Sequence, residues 1–310
     1  MCNKPGITTD DQGKQIVERK KWVLKDRPNG HFESKKDVEL ITEKLALTFT
    51  SDRRNDKEDN SCPDEHVVVK VDTLSVDAFI RTMLDEGAYH GSIKIGDILP
   101  AIGYGTVVFA GKNAKRKVGA KVIGMMGATD YAVVPESGLS TKMILPFMKS
   151  SSCLGLMGLT TGLTAYVGCF YVLTPPKRGH TVVVTGATGA VGSTAVQLLK
   201  STGARVIGIA GGPKKNAFLK EVLGLDASID YKHPERSVDE QLDEICPDGI
   251  DFIYDNVGGD TLNSLLGKIN PKGKVVICGA VSQVCFMFGW RCTISLVSLY
   301  LYLIIALPIA

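Results

Sequence analysis

The chain has 310 residues, 36 Lys+Arg against 33 Asp+Glu, an apolar share of 44% and a charged share of 22%. That length fits one large domain or two ordinary ones and is ample for a buried core, and the composition excludes a wholly disordered chain. A net charge of +3 offers no electrostatic case for nucleic acid as a partner.

Residues 1–19 are polar and lack the apolar core of a secretory signal, so they read as a disordered tail. A strand-like pattern begins at Lys20, where Trp22 and Leu24 alternate with polar residues before Pro28-Asn29-Gly30 closes the segment. Residues 37–47 read as a second extended segment. Residues 51–61, without an apolar side chain, read as a solvated loop. Then HVVVKVDTLSVDAFIR (66–81) and three short pieces at 98–111, 121–126 and 130–137 read as strands separated by Gly- and Lys-rich turns such as 111–121. Many short strands with such turns predict a small β-barrel or partly open sheet. The first domain is accordingly set at 20–150.

The pattern changes after residue 150. GLMGLTTGLTAYVGCF (155–170) reads as a tightly packed helix. Strands at 181–186, 205–210, 227–230, 251–257 and 274–280 then alternate with helices at 190–201 and 214–223. Strands alternating with helices predict βαβ units on a parallel sheet, and near-continuous apolar runs such as TVVV and VIGIA suit strands buried on both faces. The fold class is therefore α/β plus β: a β-rich domain followed, over 151–283, by a doubly wound parallel sheet.

The sharpest motif lies in TVVVTGATGAVGSTAVQLLK (181–200), where Gly186, Gly189 and Gly192 follow an apolar strand at intervals of three and a helix starts at once. This is the strand–turn–helix setting of a dinucleotide fingerprint, with the pyrophosphate on the helix N-terminus. Position 187 is Ala, so the match to G-x-G-x-x-G is not strict. The competing reading is a crossover that needs small residues for packing alone. The second strand ends IGIAGGPKKNAF with no acid for a ribose 2′-hydroxyl and with Lys214 and Lys215 in its place, followed after the third strand by Tyr231 and Lys232. Cations at that point suit a 2′-phosphate, which selects NADPH over NADH, unless the lysines are simply surface charges on a helix start. Asn256 and the segment 278–282 stand at carboxyl ends of strands, where open sheets bind ligands. A plain turn residue before Gly258-Gly259 is the other reading of Asn256. The eight cysteines (2, 62, 153, 169, 246, 278, 285, 292) form no CxxC pair and no zinc-finger spacing. They read as reduced, mostly buried thiols of a cytosolic protein, with no metal site expected.

These residues resemble the medium-chain dehydrogenase/reductase superfamily, in its zinc-independent branch of prostaglandin, alkenal double-bond and curcumin-type reductases. The pieces that carry the resemblance include KKWVLKDRPNG (20–30), LSVDAFIR (74–81), IGYGTVV (102–108), MGLTTGLTAYVG (157–168), GATGAVGS (186–193), DYK (230–232), PDGIDFIYDNVGG (247–259) and VVICGAVSQ (275–283). The resemblance implies a GroES-like β-rich domain, a Rossmann domain, and NADPH-dependent reduction of the C=C bond of α,β-unsaturated aldehydes and ketones, of 15-oxoprostaglandin 13-reductase type. It implies cofactor contacts at Gly189, Ala190, Val191, Gly192, Lys215, Tyr231, Asn256, Cys278, Gly279, Ala280, Val281 and Ser282. Zinc-dependent relatives carry Gly-His-Glu where this chain has Gly103-Tyr104-Gly105, so a metal is not implied. Tyr104 matches a pocket tyrosine whose phenol can donate to a developing enolate, although a packed aromatic in a β-turn is the equal alternative. Phe79 stands at a pocket position often held by Tyr, and contributes shape only. The implied partner is a small enone or alkenal, and a homodimer is common in the family.

After Gln283 the resemblance ends, and VCFMFGWRCTISLVSLYLYLIIALPIA (284–310) reads as a non-homologous apolar tail. The 19 residues from Cys292 carry no charge. They read as non-family sequence on a truncated form, as a membrane anchor, or as an apolar helix packed into the fold. A cytoplasmic location holds unless the anchor reading is right. The rival functions are a quinone oxidoreductase and an inactive nucleotide-binding or membrane-tethered paralogue.

Overall fold

Strict alternation and buried apolar runs each build one of the two units into which the chain divides, Met1–Leu154 and Gly155–Ala310. The structure is a computed structural model; it describes residues 7–9, 11, 14–29, 31–48, 62–86, 91–141, 148–172 and 174–282, and the backbone of Ile305–Pro308.

In the first unit, β1 (Ile7–Thr9), β2 (Gln15–Leu24) and β3 (Val38–Ala46) form an antiparallel sheet in that order, with a one-turn helix α1 (Ser34–Asp37) between β2 and β3. A second sheet is made of β4 (His66–Leu74), β5 (Ile102–Ala110), β6 (Lys121–Met125), β7 (Tyr131–Pro135) and β8 (Leu139–Thr141), in the order β7-β4-β5-β6-β8, all antiparallel. A short helix α2 (Ile80–Met83) lies between β4 and β5 in sequence. Val67, Val69, Val107, Val122, Ala132 and Val134 fill the core under the second sheet, as inward-facing residues of alternating strands do.

The expected tail at 1–19 needs correction within this unit. Val17 is wholly buried among Leu45, Leu47, Val68 and Tyr131, which draws β2 back to Gln15 and supplies the edge on which β1 pairs. The 66–81 run ends as a strand at Leu74, so Phe79 stands in the turn before α2. The expected loop at 51–61 lies outside the described residues. The unit closes at Leu154, four residues beyond the boundary expected from sequence. Ser150 exchanges a hydrogen bond with Thr73 (2.9 Å), and Cys153 and Leu154 pack on Tyr104.

The second unit opens with a π-helical turn at Leu159–Leu163 that runs into α3 (Thr164–Phe170). Its sheet consists of β9 (Thr181–Val184), β10 (Arg205–Ala210), β11 (Ala227–Asp230), β12 (Ile250–Asp255), β13 (Ile269–Ile277) and β14 (Ile305–Pro308). The order is β11-β10-β9-β12-β13-β14; the first five are parallel and β14 is antiparallel to β13. Helices α4 (Ala190–Lys200), α5 (Pro213–Ala217), α6 (Val238–Ile245) and α7 (Gly259–Leu266) connect the strands. The chain starts in the middle of the sheet at β9, builds outward to β11 and then crosses back to β12. The order therefore reverses between β9 and β12, the switch point of a doubly wound sheet.

Val182, Val184, Val206 and Tyr254 face one layer of the core, and Val183, Ile207, Ile229 and Ile253 face the other, so both faces of the sheet are covered. The tail residues 284–304 and 309–310 lie outside the described residues; Ile305–Pro308, read from sequence as part of an apolar span, pairs as a strand with Lys274–Ile277. Among the described residues, no helix is long and apolar enough to cross a membrane.

Candidate functional site

The switch point carries the glycine turn. Thr185 follows β9, and Gly186 takes φ +58°, a conformation that only glycine adopts without strain. Gly189 caps α4. Gly192, in the first turn of α4, leaves no room for a side chain: a Cβ there would lie 2.3 Å from the Gly186 carbonyl oxygen. Helix geometry leaves the first N–H groups, those of Ala190, Val191 and Gly192, without intrahelical acceptors, and the helix dipole places positive potential at the same spot. Ala187, the departure from the strict fingerprint, is fully buried and its N–H bonds Ile209 O (3.1 Å). Its methyl thus points into the core and leaves the approach to the helix end open. The donor set and the glycine cradle fit the pyrophosphate of a dinucleotide.

A buried carboxylate locks this turn to the neighbouring strand end. Asp255, at the end of β12, accepts from the Thr185 hydroxyl (2.6 Å) and from the N–H groups of Val257 (3.2 Å) and Gly258 (2.8 Å). Burial pushes its carboxyl above the ordinary value, against these bonds, which favour the anion. Asn256 donates its backbone N–H to Thr185 Oγ1 and its side-chain amide to Thr185 O, both at 2.8 Å. Part of the Asn256 amide is thus spent on joining the ends of β9 and β12.

The segment 278–282 is fastened to the same strand end. The N–H groups of Cys278 and Gly279 bond Asp255 O, that of Val281 bonds Asn256 O, and that of Ser282 bonds Val257 O. Ser282 Oγ also donates to Val257 O (2.6 Å). Four of the five N–H groups are consumed, so this segment offers chiefly carbonyl oxygens, with the N–H of Ala280, to a ligand. Burial raises the Cys278 thiol above its usual range, which makes it a packing group and a poor nucleophile.

The second turn follows β10. Gly212, at φ +89°, caps α5, which carries exposed Lys214 and Lys215. Neither lysine has an ion pair among the described residues. Tyr231 is half exposed beside this turn, with Lys232 Nζ 5.7 Å from its ring centre. Sequence reasoning missed three residues here. Asp230 accepts from the N–H groups of Gly212 and Lys232, Gln241 bonds both backbone groups of Asp230, and Asn216 donates to Ala210 O and Gly212 O. The only sequence signal was Ser237-x-x-Glu240, a capping box that fixes the start of α6 and hence Gln241.

In the first unit, Tyr104 sits in the middle of β5 opposite Thr73 and Ile123. It is 1% exposed, packed on Cys153 and Leu154, and its hydroxyl has no hydrogen-bond partner among the described residues. Burial and the nearby Cys153 raise its phenol above the usual value, while Lys121, 5.8 Å from the ring centre, opposes the shift. A buried unpaired hydroxyl costs about 1–3 kcal/mol, which a packing role alone does not call for. Phe79 stands in the turn before α2.

No group of three or more His, Cys, Asp or Glu that could hold a metal occurs among the described residues. Two clefts of the second unit, one beside His180 and Asp251 and the other beside Arg205, Asp226 and Glu244, open at the amino-terminal edge of the sheet, opposite the glycine turn.

Comparison with known proteins agrees with this geometry. Residues 20–141 match the family profile "N-terminal domain of oxidoreductase" and residues 190–293 match "Zinc-binding dehydrogenase", ten residues beyond the point where the resemblance was expected to end. The chain is 34% identical to the NADPH-dependent curcumin reductase of Escherichia coli, over 87% of this chain and 73% of that protein. It is 34% identical to the NADP-dependent 2-alkenal reductase of Nicotiana tabacum, over 86% and 74%. It is 39% identical to the putative NADP-dependent oxidoreductase YfmJ of Bacillus subtilis, over 70% of this chain and 62% of that one, so it spans less than two thirds of that relative. The crystal structure of CurA from Vibrio vulnificus in complex with NADPH superposes with a TM-score of 0.73 at 31% identity, over 86% of this chain and 74% of that one.

Proposed function

The chain belongs to the zinc-independent branch of the medium-chain dehydrogenase/reductase superfamily, and from that premise we propose that it reduces the C=C bond of α,β-unsaturated aldehydes and ketones with NADPH. The observation that carries the reading is the pair of turns at the carboxyl end of the sheet: a glycine turn ending on helix N–H groups without intrahelical acceptors, and a second turn with two exposed lysines that have no ion pair among the described residues.

Bound NADPH supplies a hydride to the β-carbon of the substrate. The N–H groups of Ala190, Val191 and Gly192 hold the pyrophosphate, Lys215 with Lys214 neutralises the 2′-phosphate, and Tyr231 offers a ring face to the adenosine. Asn256 and the carbonyl oxygens of 278–282 orient the nicotinamide end. Tyr104 donates its hydroxyl to the substrate oxygen as negative charge develops there, Phe79 shapes the pocket, and solvent returns the proton to the α-carbon. The unpaired state of the Tyr104 hydroxyl supports this role, because a donor reserved for the reaction has no partner in the fold.

Purified protein is expected to oxidise NADPH in the presence of a medium-chain 2-alkenal and to leave a simple quinone untouched. Turnover of the quinone alone would replace this reading with that of a quinone oxidoreductase, and tight NADPH binding without turnover of either would make the chain a nucleotide-binding paralogue. Tyr104→Phe is expected to lower kcat by about 10²-fold, within the range for a lost acid–base group. It should leave the melting temperature unchanged or slightly raised, since the variant removes a buried unpaired hydroxyl. A fall in stability with kcat intact would make Tyr104 a packing residue.

A further inference from the structure

No acid follows β10 in sequence, yet the fold brings one to that place from the neighbouring strand. Asp230, the last residue of β11, directs Oδ1 at the N–H of Gly212 (2.7 Å) and the N–H of Lys232 (2.9 Å). A carboxylate at this edge of a dinucleotide fold ordinarily takes the ribose 2′-hydroxyl, and a free one would repel a 2′-phosphate. Here one carboxylate oxygen, Oδ1, takes both backbone donors, through charge-assisted hydrogen bonds that bind the turn after β10 to the end of β11.

Asp230 itself is not free to turn away. Its N–H donates to Gln241 Oε1 and its carbonyl accepts from Gln241 Nε2, both at 3.0 Å. Gln241 is buried and also bonds the carbonyls of Arg236 and Ser237 at the start of α6. From the other side Asn216 Nδ2 bonds Ala210 O (3.2 Å) and Gly212 O (3.0 Å). The turn that carries Lys214 and Lys215 is thus held between a carboxylate and an amide, each buried or half-buried, at a point where Gly212 already needs φ +89°.

We propose that Asp230, clamped by Gln241, is a positioning residue for cofactor choice: its carboxylate, anchored through Oδ1, shapes the lysine-bearing turn for a 2′-phosphate and is held from turning to a 2′-hydroxyl. This rests on the NADPH reading above. It predicts that the acid favours the phosphorylated cofactor, the reverse of its effect when such an acid faces the ribose.

The test measures dissociation constants of NADPH, NADH and adenosine 2′,5′-bisphosphate on the full chain by titration calorimetry, with thermal melting to check folding. Asp230→Ala is expected to weaken NADPH and the bisphosphate about ten-fold, as the lysine-bearing turn loses both backbone anchors on the carboxylate, and to change NADH less than about two-fold. Asp230→Asn keeps an acceptor oxygen in place and should retain most of the NADPH preference. Gln241→Leu leaves the acid but frees it, and should move preference toward NADH. An equal loss of NADPH and NADH in Asp230→Ala, or tighter NADPH binding in that variant, overturns the proposal while the cofactor reading stands. A wild-type protein that binds both cofactors alike overturns the cofactor reading and the proposal with it. If Asp230→Ala does not fold, the NADPH-to-NADH ratio of Gln241→Leu decides, and an unchanged ratio there overturns the proposal.

Discussion

The two turns at the carboxyl end of the parallel sheet reach similar tasks by different means. The turn after β9 is shaped by what its residues lack: Gly186 must take a positive φ and Gly192 must have no Cβ. The turn after β10 is shaped by what other elements contribute, since Asp230 and Gln241 come from β11 and α6. Backbone crowding is therefore local and carries a sequence signature. Side-chain clamping is distributed over 30 residues and carries almost none. The contrast also predicts that the first turn fails abruptly on substitution and the second by degrees.

The largest effect is expected from Gly192→Ala. A methyl 2.3 Å from the Gly186 carbonyl forces the turn and α4 apart, with an overpacking cost of about 1–3 kcal/mol. Because the displaced N–H groups are those proposed to meet the pyrophosphate, NADPH affinity should fall by at least about 10²-fold, as titration calorimetry would show. Full affinity in this variant would disprove the role given to the turn.

Next comes the link from the first turn to the β12 end. Thr185→Val deprives the buried Asp255 carboxylate of its side-chain donor and Asn256 N–H of its acceptor. The expected loss is about 2–3 kcal/mol in a denaturant titration, with Thr185→Ser restoring most of it. Asp255 also predicts a pH dependence. Burial raises its folded pKa above the ordinary 3.8, so the fold favours the protonated form more than the unfolded chain does. Its contribution is fully present below the unfolded pKa and is lost as pH rises through the folded value. The denaturation midpoint of Asp255→Asn, relative to wild type, should therefore improve on going from below pH 3.8 to neutral. A flat difference would place the group at its ordinary value.

The second turn should respond more gently. Lys215→Ala is expected to weaken NADPH about ten-fold and to leave NADH unchanged, because it removes a charge partner and no backbone support. The smallest effect is that of Ser237→Ala. It breaks the capping box that starts α6 and costs about 1 kcal/mol, read as a small fall in melting temperature. A loss of NADPH affinity in Ser237→Ala as large as that of Lys215→Ala would mean that the clamp is more tightly coupled to the cap than the hydrogen bonds imply.

Several particulars mark where sequence reading held and where it stopped. The strands at 181–186, 205–210, 227–230, 251–257 and 274–280 were legible because buried parallel strands are continuous apolar runs. Helix α4 was legible because Gly192, Ala195, Val196 and Leu199 fall on one face at helical spacing. β1 and the start of β2 were not, because a polar strand of which one residue, Val17, is fully buried differs little from a tail by composition. Helices α6 and α7 lie in stretches that carry short apolar patterns, and the Ser237–Glu240 cap was the one clear marker of either. At Tyr104 the sequence supplied two readings, a pocket donor and a packed aromatic, and the kinetics of Tyr104→Phe, not the burial of its hydroxyl under Cys153 and Leu154, decide between them.

The sequence by itself determined the α/β-plus-β order, the glycine turn, the lysines of the second turn and the absence of an acid directly after β10. Each of these is written in contiguous residues, where steric demand and charge act over a few positions. Tertiary structure alone decided that Asp230 reaches the turn after β10, that Gln241 and Asn216 hold the turn, and that Asp255 and Thr185 join two strand ends. Those contacts arise from strand order, which sets side by side residues that are far apart in the chain, and a parallel sheet writes no local signal for which of its neighbours will meet.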